Sequence, residues 1–255
     1  MRRPQWMISL IILLLAACAP GEPNTPTPAP DALALVQQAA DNIRSAETFR
    51  LYVEQSGPEY VIETLYGGVL FRRAVGQYVA PGQMQAEIRV SAAGLNVNVD
   101  VFSRGEEQWY RAIWTGNQWL REDFSPGFNP EQLIAEDTGF RAALNALLDL
   151  DYLGIETLES GATVHHISGL ADGAAVSALL VGLIETAGDV RVDVYIDTTT
   201  LYPVRFTLLE TVPVVADGGL PNLNSRLTPS APAERLWTLE ISDINAAPAL
   251  DGPEA

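Results

Sequence analysis

Apolar and polar residues alternate in five separate stretches of this chain, and such alternation belongs to strands with one face buried and the other in water. The stretches are Phe49 to Glu54, Ala86 to Val90, Leu95 to Val101, Val190 to Ile196 and Trp237 to Ile241. Strands of βαβ crossover folds are apolar on both faces, so that architecture is excluded. What remains is an antiparallel sheet wrapped over something on a single side. Gln108 to Trp114 and Gln118 to Glu122 flank Thr115-Gly116-Asn117, a hairpin signal that sets Trp109, Trp114 and Trp119 on adjacent strands as sheet-packing aromatics.

Helical spacing interrupts the strands in a few places. Asp31 is positioned to cap an amphipathic helix in which Leu33, Val36, Ala40 and Ile43 recur through Arg44. Asn129-Pro130-Glu131-Gln132 reads as an N-cap, a first-turn proline and a capping-box glutamine for a short helix. After it Thr138 is placed to cap a helix from Phe140 to Leu150. A further helix fits Gly173 to Ala187, with Val176, Leu179, Leu180, Leu183 and Ile184 as a broad apolar stripe and Gly188 as its C-cap. The connection 213–233 is rich in Pro and Gly and irregular; Leu220, Leu223 and Leu227 suit either a flap over a cavity mouth or a mobile loop. The acidic tail 247–255 reads as disordered. The expected class is therefore α+β: a single-domain curved antiparallel sheet, an incomplete barrel, over residues 31–246, with helices covering its concave face.

Ahead of this domain, residues 1–17 carry Arg2 and Arg3 and an apolar run from Met7 to Leu15, too short to span a bilayer and suited to an export signal. Leu15-Ala16-Ala17-Cys18 resembles the bacterial lipobox, whose cysteine is acylated after cleavage. Cys18 is the sole cysteine of the chain, so the exported protein has no disulfide and relies on its core. Residues 18–30 then form a lipidated start and a tether: Pro20 to Pro30 holds five prolines and no large apolar residue. The expected location is the extracytoplasmic face of the cell membrane, lipid-anchored.

Loss of residues 1–17, with two arginines and no acid, takes the net charge from −17 to −19. Such a charge repels phosphate backbones and anionic lipid head groups, so nucleic acid is excluded as a partner. All 15 basic residues are Arg, which excludes lysine chemistry. No Gly-x-Ser-x-Gly elbow, P-loop, dinucleotide fingerprint or zinc helix is present. His165 and His166 are adjacent, and neighbours on a strand point to opposite faces, so they do not build one site. No catalytic residue, metal ligand or cofactor is expected.

The order of parts resembles the LppX/LprAFG family of envelope lipoproteins. The resemblance is carried by Asn129-Pro130-Glu131-Gln132-Leu133, Leu144 to Leu150, and Val164-His165-His166-Ile167-Ser168-Gly169. Val194-Tyr195-Ile196-Asp197 followed by Pro203-Val204-Arg205, and the terminal stretch from Trp237 to Asp243, extend it. It covers about residues 31 to 246, leaving the 213–233 connection unaligned. The resemblance implies kinship with the LolA/LolB carriers, an apolar cavity for multi-acyl lipids and no catalysis. Inward-facing candidates for such a cavity are Leu51, Val53, Ile88, Val90, Val97, Val99 and Val101 from strands and Leu147, Leu180 and Leu183 from helices. Periodicity alone fits equally a filled core, in which case the chain is an interaction module for another envelope protein.

Overall fold

The computed structural model describes residues 29–64, 67–92, 94–122, 129–179, 186, 188–212, 232–246 and 250–253. Within them one twelve-stranded sheet dominates. Its first half holds β1 (Thr48–Ser56), β2 (Val61–Thr64), β3 (Gly67–Val79), β4 (Gln83–Ala92), β5 (Leu95–Arg104), β6 (Glu107–Arg111) and β7 (Leu120–Arg121). Its second half holds β8 (Leu148–Thr157), β9 (Thr163–Asp172), β10 (Asp189–Asp197), β11 (Pro203–Val212) and β12 (Ala233–Ser242). The strands lie in the order β7-β6-β5-β4-β3-β1-β12-β11-β10-β9-β8, with β2 beside β3, and every pairing is antiparallel. Two meanders are thus joined through β1 and β12, Leu51 standing opposite Ile241.

Three helices, α1 (Ala32–Arg44), α2 (Gly139–Asn145) and α3 (Gly173–Leu179), lie on one face. Asp31 caps α1 by accepting from the amides of Leu33 (3.0 Å) and Ala34 (3.4 Å). The buried face of α1 is Val36, Ala39, Ala40 and Ile43. Helix α1 packs on α2 and α2 on α3, while their sheet contacts fall mainly on β8 to β11. An aromatic run ties α2 to the sheet: Phe140 meets Phe49 edge-on at 5.9 Å and stacks with Phe206 at 6.1 Å, and Phe49 stacks on Tyr78 at 4.7 Å. Among the described residues no helix is long and apolar enough to cross a membrane.

Several local expectations require correction. Helix α2 ends at Asn145, not Leu150, and the Thr138 side chain makes no capping bond. Leu148-Asp149-Leu150-Asp151-Tyr152 alternates, and pairing with β9 draws it into β8. Leu147 therefore lies in the short link between α2 and β8, buried, and not on a helix. Trp114 is not on a strand: the hairpin is interrupted by a 3-10 turn, Ile113–Thr115, which leaves Trp114 59% exposed. Asn129 caps a single 3-10 turn, Pro130–Leu133. At the other end of the chain, residues 250–253 lie against the sheet, where disorder was expected: the Asp251 amide donates to Gln85 Oε1 at 2.6 Å and its carboxylate pairs with Arg111 at 2.9 Å. Signal segment, Cys18, most of the tether, the later part of the predicted third helix and most of the 213–233 connection fall outside the described residues.

The β10–β11 hairpin depends on Asp197. Its Oδ1 accepts from the amides of Thr199 (3.0 Å) and Thr200 (2.7 Å) and from the Thr200 hydroxyl (3.0 Å). Burial alone raises a carboxyl pKa, but the Thr200 and Thr199 donors outweigh it and hold Asp197 below its ordinary 3.8. A depressed folded-state value stabilises at pH above 3.8 and is lost as the pH falls through the folded value. Asp197→Ala is expected to lower stability at pH 7 by about 1–2 kcal/mol, with the difference from the parent shrinking below about pH 4. Urea unfolding at both pH values measures it, and a constant difference would assign the effect to packing alone.

Candidate functional site

Cross-strand register decides which side chains share the helix-bearing face. Leu51 stands opposite Gly76, Gly76 opposite Ala86, and Ala86 opposite Val101. In the next row Val53, Ala74, Ile88 and Val99 align, and beyond it Phe71, Val90 and Val97. All seven strand residues singled out from the sequence therefore lie on one face, neighbours in three successive rows. Leu147 belongs to the same apolar cluster, beneath α2. Leu180 and Leu183 lie outside the described residues.

Burial divides this face in two. Under the helices, Val190, Val192, Val194 and Ile196 of β10 and Phe206 and Leu208 of β11 are completely buried. That half is a packed core. Over β3 to β5 the inner side chains Ala74, Ile88, Val97, Val99 and Val101 are only half-buried. Along β5 exposure climbs from 3% at Ser103 to 69% at Leu95, so the strip opens at the end where β4 turns into β5. Its other end is shut by Tyr78, Phe49, Phe140 and Leu133, each 2% exposed or less. There the Tyr78 hydroxyl donates to the Pro81 carbonyl at 2.8 Å; burial, reinforced by the Glu131 carboxylate, pushes its pKa well above the usual tyrosine range.

Small residues line part of this strip, and at Gly76 the space is taken by Met84. Ala74, Gly76 and Ala86 occupy the inner positions of β3 and β4 beside the larger Ile88 and Val90, and a Cβ on Gly76 would come within 2.5 Å of Met84 Cε. Their contribution was not apparent from the sequence, because a bulge between Phe71 and Arg73 breaks the alternation of β3. The three inner rows from β1 to β5 contain no charged residue. Charge appears on this face at the rim: Glu210, 3% exposed, accepts from Arg235 Nη1 at 2.8 Å and from Trp237 Nε1 at 3.0 Å.

The two histidines lie on β9, away from the strip, and each has neighbours of its own. His165 Nδ1 lies 3.0 Å from the Tyr152 hydroxyl, while His166 stacks on Tyr195 at 4.4 Å between Glu156 and Asp193. Among the described residues no three His, Cys, Asp or Glu side chains are gathered to hold a metal.

Comparison with known proteins places the chain in a family. The family model for LppX_LprAFG lipoproteins matches residues 31–246. The chain belongs to the LppX_LprAFG lipoprotein family. Its relatives include the proteins named lipoarabinomannan carrier protein LprG from Mycobacterium tuberculosis (strain ATCC 25618 / H37Rv) and Mycobacterium bovis (strain BCG / Pasteur 1173P2). Each is 24% identical over 177 residues, covering 68% of this chain and 70% of the relative. Crystal structures of family members show the same fold. LprF from Mycobacterium bovis superposes with a TM-score of 0.62 at 13% identity, over 90% of this chain and all of that one. LppX from Mycobacterium tuberculosis gives 0.53 at 17% identity, over 86% of this chain and 98% of the other. The LppX_LprAFG fold is thus an open, curved antiparallel sheet with few helices, as the alternating stretches and the resemblance led one to expect.

Proposed function

We propose that this protein is a membrane-tethered lipid carrier that shelters the acyl chains of a multi-acyl envelope lipid against the inner face of β3 to β5. The carrying observation is the strip from Leu95 to Val101 with Ile88 opposite, apolar and partly uncovered where the inner faces of β10 and β11 are sealed. Exposed contiguous apolar surface in a protein of charge −17 calls for an apolar occupant. The carrier names of the LprG relatives support the reading. Acylation of Cys18 anchors the chain to the extracytoplasmic face of the membrane, the prolines to Pro30 set its distance from the bilayer, and neither a cofactor nor catalysis enters the cycle.

Native mass spectrometry of residues 31–255, purified from a lipid-containing host, tests this directly. A discrete adduct that organic extraction identifies as a multi-acyl lipid is the expected result. Failure to bind any lipid offered in excess overturns the carrier reading and favours an envelope protein partner, for which the edge strand β8, with Leu148, Leu153 and Ile155 exposed, is the available apolar surface.

A further inference from the structure

The opposite face of the sheet carries a second concavity, of about 690 Å³, with contrasting chemistry. It crosses five strands, with Ser242, Arg50, Gln77 and Gln85 in one row, Glu240, Tyr52, Val75, Glu87 and Asp100 in the next, and Arg73 of β3 beyond them. The outer carboxylates are already engaged, Asp100 by Arg111 at 2.7 Å and Glu240 by Arg205 Nε at 2.9 Å. The Tyr52 hydroxyl is held by Glu54; burial and that bond raise its pKa. Gln85 Oε1 is taken by the Asp251 amide at 2.6 Å.

Two lining groups are left over. Arg73 Nε, a donor, and Gln77 Oε1, an acceptor, are both shut away from solvent without a hydrogen-bond partner. A buried polar group left unpaired is costly, so a native protein keeps such groups where something else completes them. The two lie four residues apart on β3 with Val75 between them on the same face. The occupant must therefore accept from a guanidinium, donate to an amide oxygen and lay an apolar patch on Val75 and the Tyr52 ring.

We infer that this outer groove binds a short neutral oligosaccharide. A sugar hydroxyl both donates and accepts, and the C–H face of a pyranose or furanose ring supplies the apolar patch. Phosphate or sulfate offers acceptors alone and meets the Glu87 carboxylate of the lining. A peptide would need apolar pockets for its side chains, and Val75 is the single aliphatic residue of the lining. The inference stands on the outer face and is independent of what occupies the inner strip.

Isothermal calorimetry on the full-length protein tests it, in amine-oxide micelles because a maltoside detergent would compete. The titrants are neutral pentasaccharides of glucose, mannose, galactose or arabinose, with inorganic phosphate as comparator. Saturable binding of at least one saccharide and none of phosphate is expected, with Arg73→Leu and Gln77→Leu each weakening it about tenfold or more. Leu148→Ser, on the far edge of the sheet, leaves it unchanged, and circular dichroism melts confirm that all three variants fold. Absence of saccharide binding up to about 20 mM, far weaker than the millimolar scale of a marginal complex, overturns the inference. So does saccharide binding that both groove variants retain in full.

Discussion

Arg235→Met is expected to destabilise the fold by about 3–5 kcal/mol, the usual result of removing one partner from a buried ion pair. The Glu210 side chain is 3% exposed and that of Arg235 12%, so solvent screens the pair little. Without the guanidinium, Glu210 keeps one neutral donor, Trp237 Nε1, and its charge has no counterion. Arg235 also donates to the carbonyls of Pro58 (2.9 Å) and Glu59 (3.0 Å), which joins the β1–β2 turn to β12. The companion double variant, Arg235→Met with Glu210→Gln, should recover more than half of the loss, since a neutral amide still accepts from Trp237 and no charge is stranded. Urea denaturation of the parent and the variants measures both effects. A loss under about 1 kcal/mol for the single variant would mean that water reaches Glu210 readily, as at a surface pair.

Val99→Trp is expected to reduce bound lipid at least about tenfold, roughly 1.4 kcal/mol of binding, while costing less than about 1 kcal/mol of stability. The second half of that statement discriminates. Val99 sits mid-strip opposite Ile88 and is half-buried, so an indole there enters space that no helix among the described residues occupies. In a filled core the same change would force neighbours off their rotamers at about 1–3 kcal/mol. Quantitative native mass spectra and thermal melts of parent and variant give both numbers. Undiminished lipid would place the acyl chains elsewhere, and a large loss of stability would show that protein already fills the strip.

Strands β1, β4, β5, β10 and β12 were legible because strict alternation survives in each. Strand β3 was obscured by the Phe71/Arg73 bulge and by Gly76, which removes a side chain from the inner face. Strand β8 was misread because Leu144, Leu147 and Leu150 keep helical spacing while Leu148, Leu150 and Tyr152 keep strand spacing; the open edge of β9 decides between them. Parity along β1, β4 and β5 was enough to assign seven inner residues to one face. Which of them stay half-open was not legible, because it depends on α1 and α3 docking over β8 to β11. The outer groove was equally hidden: Arg50, Tyr52, Gln77 and Glu87 become neighbours only through register, and no single stretch of sequence states a register.

The pairing of β1 with β12 also orders events in time. Thr48 to Ser56 emerges early from any translocation channel, yet one of its two neighbours in the sheet lies about 190 positions later, Leu51 against Ile241. The hairpins between β3 and β6 and between β8 and β11 close locally and quickly, whereas joining the two meanders must wait for nearly the whole polypeptide to cross. Under the proposed export, a chain with this topology completes its sheet only once β12 is free to meet β1. For the carrier proposed above, the inner strip between β3 and β5 is then bordered only after β12 has paired with β1.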